Sequence, residues 1–347
     1  MSESESVQRS ESPVTKSEKE DHIEEKMNAL MELTCRCFLV FIIGYVASLI
    51  PSIRLLISQF HELGLNSNWE DLVWIIPGFM HSFLTYILCT KVLSKYLRPF
   101  YRENKFRPYE SDSSRLWRYG NLLYGCYYYI LSFGVLMWLV VGTEYCPKAY
   151  GGNLDLGNTI RIWPYEAPKS IRIFYMLTFG HHFERTVKEI NHRNQKTFWT
   201  LFFHHLLTLV LLGLSFVMKH YQYGVTILLI HDMTDIWLNL SRFFREFIEP
   251  FATMAKVCFV VCVFAWFHSR IWMFTKEVFI DGFLYSITRI PPIIRSYLTA
   301  HMFYLVALFF LLILNVYWFM QMMRVIIILF INKKDNLPFE DKASKRK

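Results

Sequence analysis

The chain has 347 residues, of which 53% are hydrophobic and 18% aromatic, with a mean hydropathy of +0.24 and a formal net charge of +8. So apolar a composition excludes an array of soluble domains and fits one polytopic membrane unit. The positive charge does not point to nucleic acid, because Lys and Arg sit in short segments flanking apolar runs, where they act first as a topology signal.

The chain opens on MSESESVQRSESPVTKSEKEDHIEEKMN, rich in Ser and Glu with almost nothing to bury. Residues 1–33 are therefore expected to form a disordered acidic tail, and no basic start followed by an apolar stretch marks a signal peptide. A spanning helix needs roughly 17–25 mainly apolar residues. Clear candidates lie at 34–56, 72–94 and 120–142. A weaker one at 168–187, KSIRIFYMLTFGHHFERTVK, contains Arg172, His181 and His182; the stretch from 143 to 198 is too long for a compact loop, which favours a shielded span there. Further candidates follow at 199–218, 222–244, 255–276 and 298–331, the last overlong and expected to tilt or to run out along the interface. The fold class is thus all-α, with about eight transmembrane helices.

Eight spans put both termini on one side. That side, with the loops 95–119, 185–198 and 245–254, carries roughly twice the Lys and Arg of the other and is expected to be cytosolic. The basic loop KYLRPFYRENKFRPYESDSSRLWRYG leaves little room for a nucleic-acid module and reads as a juxtamembrane segment attracted to anionic lipid. Of the seven cysteines, Cys35, Cys37, Cys89, Cys126, Cys258 and Cys262 lie in apolar runs and Cys146 in a loop, without metal spacing, which favours packing.

Two consecutive spans, FFHHLLTLVLLGLSFV and LLIHDMTDIWLNL, carry groups a bilayer rejects: His204 and His205 on the first, His231, Asp232 and Asp235 on the second. A charge at the bilayer centre costs roughly 2.5 kcal/mol or more, so such residues mark function by default. The turn between the spans falls near 219–221, and His205 and Asp235 are each 15 residues from His220. An antiparallel pair rising about 1.5 Å per residue therefore sets them at nearly equal depth, with the histidines some 8–9 Å in from the cytosolic end. Residues 231, 232 and 235 share one helix face. A polar pair gluing two helices would need fewer groups. Di-iron chemistry would need HxxxH and HxxHH boxes, which the histidines at 181, 182, 192, 204, 205 and 231 do not form, and no metal is expected. Acid–base or covalent catalysis, with a carboxylate fixing a histidine tautomer, uses the whole cluster.

These residues resemble the signature of the ceramide synthases, the Lag-motif branch of the TLC membrane-domain superfamily: tandem histidines, D-x-x-D, and a 27-residue separation of His205 from Asp232. NQKTFW (194–199), SSRLWRY (113–119) and LNVYWFMQMMRVI (314–326) resemble its flanking segments. Thr234 stands where Ser is common, His181–His182 is no part of the motif, the homeodomain-like insert of many animal members is missing, and the extra first helix resembles fungal members. The resemblance implies a TLC-type six-helix bundle over 113–331, preceded by two helices and the basic loop in 34–112 and followed by a basic tail in 332–347. It also implies transfer of a fatty acyl group from acyl-CoA to the amine of a sphingoid base in the endoplasmic reticulum membrane, with no cofactor.

In that scheme one of His204 and His205 is base or transient acyl carrier, Asp235 orients it, and Asp232 holds the substrate ammonium or its hydroxyls. His231, His181 and His182 are supporting candidates. Lys188, Arg193 and Lys196 either hold the coenzyme A phosphates at the cytosolic mouth or anchor the helix end among lipid headgroups. The expected partners are membrane lipid and the two substrates, with room for a homo- or hetero-dimer or a small membrane subunit. The alternative is a non-enzymatic TLC-domain protein that binds lipid or assists translocation, a reading that loss of HH or D-x-x-D would favour; both are intact.

Overall fold

The computed structural model describes residues 28–37, 39–40, 50–51, 54, 58, 68–100, 111–159, 166–190, 198–247, 251–284 and 298–331. The first expected span, 34–56, lies largely outside these residues, as do most of the acidic tail and the basic tail 332–347. Residues 28–37 are helical, so helix begins inside the segment expected to be disordered as far as residue 33.

Seven long helices follow among the described residues: α1 (Trp69–Tyr96), α2 (Asp112–Val140), α3 (Lys169–Ile190), α4 (Phe198–Val217), α5 (Tyr221–Arg245), α6 (Phe251–Trp266, widening into a π-helix over Phe267–Leu284) and α7 (Leu298–Ile331). Each coincides with one of the expected spans from 72–94 onward. The protein is an all-α polytopic membrane protein, and its described residues show no strand beyond the isolated pairing of Pro147 with Leu154. Five helices are long and apolar enough to cross a membrane by length and composition. The two that fall short, α3 and α5, carry Arg172, Glu184, Arg185 and Lys188, and Asp232, Asp235, Arg242 and Arg245. Both are packed between neighbours, α3 against α1 and α4, α5 against α2 and α6. Charged groups inside a membrane survive where protein rather than lipid surrounds them.

Local chemistry sets the helix ends. Ser111 caps α2, its Oγ accepting from the Ser114 amide at 3.3 Å, with Asp112 in the first turn against the positive helix end. The same helix stops just before Gly142, whose φ of +77° a side chain would disfavour. Between α4 and α5 the chain reverses through Lys219, at φ +56°, with the His220 amide bonded to the Ser215 carbonyl at 2.7 Å. The turn thus falls where expected, at 219–221.

Lipid tails are as apolar as leucine, so helices in a bilayer associate through close packing and hydrogen bonds. Gly78 and Gly180 supply the close packing between α1 and α3. A Cβ on Gly78 would lie 2.2 Å from the Leu177 carbonyl oxygen, and one on Gly180 would lie 2.2 Å from that of Ile75. At the end of α3 nearest the 141–168 loop, Arg172 donates to Asp71 at 2.6 Å and to the Ala167 carbonyl at 2.8 Å. Arg172, the residue that weakened this span in the sequence, is thus a helix-end group with a partner.

Beside it, Glu166 accepts from Asn68 at 2.8 Å and pairs with Lys219. Burial disfavours the Glu166 charge, but the hydrogen bonds from Lys219 and Asn68 and the charges of Lys219 and Arg172 outweigh it and hold the carboxyl below its usual range. A carboxyl lowered in the fold contributes stability that is present above its unfolded pKa, about 4.3, and is lost as pH falls through the folded value. Thermal melts in detergent from neutral pH downward are therefore expected to lose stability below pH ~4.3, with Glu166→Gln less stable at neutral pH and flatter on the acid side. Parallel acid limbs for the two proteins would show that the cluster contributes nothing.

α4 divides the interior. Phe203, Leu207, Leu211 and Leu214 form one stripe, packed with Phe303, Ala307, Leu308 and Leu311 of α7 and Phe274 and Val278 of α6. Leu212 and Phe216 face the other way, into a second core with Leu136 and Val140 of α2, Tyr175 of α3, and Val225 and Leu229 of α5. The polar residues of the two consecutive helices meet at the seam between these cores.

Candidate active site

A partly open cavity occupies that seam. α4 lines it with His204, His205, Thr208, Leu211 and Leu212, and α5 with Gly224, Ile227, Leu228, His231, Asp232 and Asp235; Tyr129 of α2, Tyr175 and His182 of α3, and Tyr304 and Leu311 of α7 complete the wall. Its ionisable groups lie toward the start of α4 and the end of α5. Apolar side chains and tyrosines line the remainder.

The tandem histidines sit in this cavity as expected. Their ring centroids are 5.5 Å apart, His204 stands edge-on to Trp318 at 5.0 Å, and His205 is 9% exposed. The Nδ1 atoms of both are buried without a hydrogen bond. With Nδ1 shut in, Nε2 is the nitrogen each ring can present to a ligand.

The carboxylates divide. Asp232 is 3% exposed and its Oδ2 accepts from Ser132 Oγ at 2.6 Å, which leaves Oδ1 for a ligand in the cavity. Asp235, expected to orient His205, pairs with Arg270 instead. Its Oδ1 is held by Arg270 at 2.7 Å, and no hydrogen bond joins either carboxylate to His204 or His205 among the described residues. Equal depth along two antiparallel helices sets height but not direction, and α4 and α5 touch sparsely because the cavity separates them. The Arg270 guanidinium, 2% exposed, also donates to the His231 carbonyl at 2.7 Å and to Thr234 Oγ1, and lies 3.9 Å over the Trp266 ring. Thr234, which departs from the common Ser, thus uses the hydroxyl it keeps.

The supporting histidines separate as well. His231 is fully tied: Nδ1 donates to the Ile227 carbonyl at 2.8 Å, so Nε2 is left to accept from Asn315 Nδ2 at 3.4 Å. His181 turns away from the cavity, with Nδ1 2.8 Å from Ser82 Oγ and 3.1 Å from the Tyr124 hydroxyl and its ring stacked on Tyr128. His182 turns into the cavity. Lys188 is outside it, paired with Glu184 and 3.1 Å over the Tyr86 ring, and Arg193 and Lys196 lie outside the described residues. No three His, Cys, Asp or Glu side chains among the described residues converge closely enough to hold a metal ion.

Arg270, Ser132 and Asn315 are site residues that the sequence did not single out. Arg270 and Asn315 carried a signal, a guanidinium and an amide within expected spans; Ser132 carried none.

A family model described as TRAM_LAG1_CLN8, the TLC domain, matches residues 79–324. This chain belongs to the TLC domain family. The match starts within α1, ahead of the boundary expected at 113, and takes in every helix that lines the cavity. The TLC chain is similar to ceramide synthase hyl-2 of Caenorhabditis elegans, 27% identical over 146 residues, which are 42% of each chain. It is similar to human ceramide synthase 1, 24% identical over 205 residues, covering 56% of this chain and 55% of the human one. It also resembles sphingosine N-acyltransferase lac1 of Schizosaccharomyces pombe, 28% identical over 103 residues, or 29% and 26% of the two chains. The matches span roughly half or less of the length of these curated relatives.

Proposed function

We propose that this TLC protein is a ceramide synthase, an acyl-CoA-dependent N-acyltransferase that joins a fatty acyl group to the amine of a sphingoid base and releases coenzyme A. The observation that carries this is the cavity itself: two imidazoles of α4 and a carboxylate of α5 held by Ser132, among apolar walls inside a TLC bundle. The names of the relatives, ceramide synthase and sphingosine N-acyltransferase, point the same way.

Acyl transfer to an amine needs a group that accepts a proton or carries the acyl chain, and histidine does both near neutral pH. One of His204 and His205 fills that role. Asp232, steadied by Ser132, attracts the substrate ammonium through its second oxygen. Asp235 acts through Arg270, fixing the α5–α6 wall of the site. The alkyl chains of both substrates lie among the leucines and tyrosines, and coenzyme A stays at the mouth. Lys188 already has a carboxylate partner, so the phosphates fall to Arg193 and Lys196, just ahead of α4. The residence that goes with this reading is the endoplasmic reticulum membrane with both termini cytosolic, the orientation that puts the mouth in reach of cytosolic coenzyme A.

The test is purified full-length protein with one sphingoid base and a ladder of acyl-CoAs, products read by mass. The expected result is an N-acyl product matched one-to-one by free coenzyme A. Free fatty acid alone, or no product from any acyl-CoA, would sink the reading.

A further inference from the structure

We propose that His182 is a third catalytic imidazole, which takes the first of the two protons that the substrate ammonium must lose; this rests on the acyltransferase function proposed above. Three observations carry it. His182 belongs to α3, outside the HH and D-x-x-D elements, yet its ring lines the same cavity as His204 and His205. It is 7% exposed, and its Nδ1 is buried without a hydrogen bond, the condition found at both histidines of α4. Its ring centroid lies 6.4 Å from that of His205, a gap that one bridging water or a substrate nitrogen can fill. The neighbouring His181 also has one buried ring nitrogen without a hydrogen bond, its Nε2, but it lies outside the cavity wall, with two hydroxyls at its Nδ1 and a tyrosine stacked on its ring; what sets His182 apart is its place in the cavity beside His205.

The stoichiometry supplies the need. A sphingoid base reaches the site as an ammonium ion, whose nitrogen has no lone pair. His182 Nε2 removes one proton and the freed amine attacks the acyl carbonyl. The C–N bond forms, the C–S bond breaks and coenzyme A leaves as thiolate. The second nitrogen proton passes to the His204–His205 pair and from there to the thiolate, giving the thiol, while the proton on His182 is released to water. Thioester and ammonium thus become amide, thiol and one free proton. The pair on α4, engaged with the carbonyl and the leaving group, cannot also hold the first proton.

The groups that face His182 are Arg185 and His181 on its own helix, Tyr129 on α2, His204 and His205 on α4, the 231, 232 and 235 face of α5, and Tyr304 on α7. Comparing a variant with wild type at each pH cancels the contribution of these groups to the profile.

The test measures kcat/KM for sphinganine, with palmitoyl-CoA saturating, across the range in which an alkyl ammonium sheds its proton in water, about pH 8–10, and two units below it. His182→Gln is expected to fall about 10²-fold at the acid end. The deficit should shrink steadily as solvent supplies free amine, with the KM for palmitoyl-CoA within twofold of wild type. His182→Ala should regain part of its rate with added imidazole. A deficit of equal size at every pH would assign His182 a structural role and overturn the proposal, as would no deficit. Wild type alone gives an independent check that no folding defect can spoil. Its kcat/KM for sphinganine should stay nearly flat where the free-amine fraction rises, and a rate that tracks that fraction would overturn the proposal. Wild type that makes no amide at all marks failure of the acyltransferase function instead.

Discussion

His204→Ala and His205→Ala are each expected to lower N-acylation by about 10²–10⁴-fold, the range that positioned acid–base groups supply. Both side chains are enclosed by protein, yet neither Nδ1 has a hydrogen-bond partner. The variants should therefore enter the membrane, purify as the same species and melt close to wild type. Activity and stability then separate, as they do for a catalytic group and not for a packing group. The two need not be equal. His204 leans edge-on against Trp318 of α7, and His205 faces His182 of α3, so the more damaging substitution identifies the side of the cavity on which the carbonyl reacts. Near-normal turnover in both variants would end the catalytic assignment.

The largest effect on stability is expected at the pair formed by Arg270 and Asp235. Arg270 is 2% exposed and its guanidinium is held by Asp235, the Thr234 hydroxyl, the His231 carbonyl and the face of Trp266. Removing one partner of a buried ion pair leaves the other uncompensated and costs about 3–5 kcal/mol, whereas replacing both by apolar groups is often neutral. Arg270→Met should therefore melt well below wild type in detergent, and Arg270→Met combined with Asp235→Leu should recover much of the loss. A double variant no more stable than the single one would show that Arg270 acts through the Thr234 and His231 contacts and not through the carboxylate. The pair lies at the start of the widened part of α6, which begins three residues before Arg270.

The amino-acid sequence alone was enough to establish seven of the helices and the turn at 219–221, and it singled out His204, His205, Asp232 and Asp235, which the fold gathers around one cavity. Each of these depends on local rules: apolar length, helix-ending residues, and the cost of a charge in lipid, which makes four ionisable groups in two spans conspicuous. Depth was legible for the same reason, because rise per residue is constant. Direction was not. Which way a side chain points depends on how a helix is rotated against its neighbours, and that is decided by packing across the whole bundle. Gly78 and Gly180 bring α1 onto α3, which turns His181 to the hydroxyls of Ser82 and Tyr124 and leaves His182, one position on and about 100° around the helix, facing the cavity. α4 and α5, consecutive in the chain, splay around that cavity, so Asp235 meets Arg270 from a helix that starts after it in sequence and not the histidine level with it. Ser132 lies 100 residues before Asp232, and nothing local marks it; only the packing of α2 on α5 makes it the donor that fixes the carboxylate.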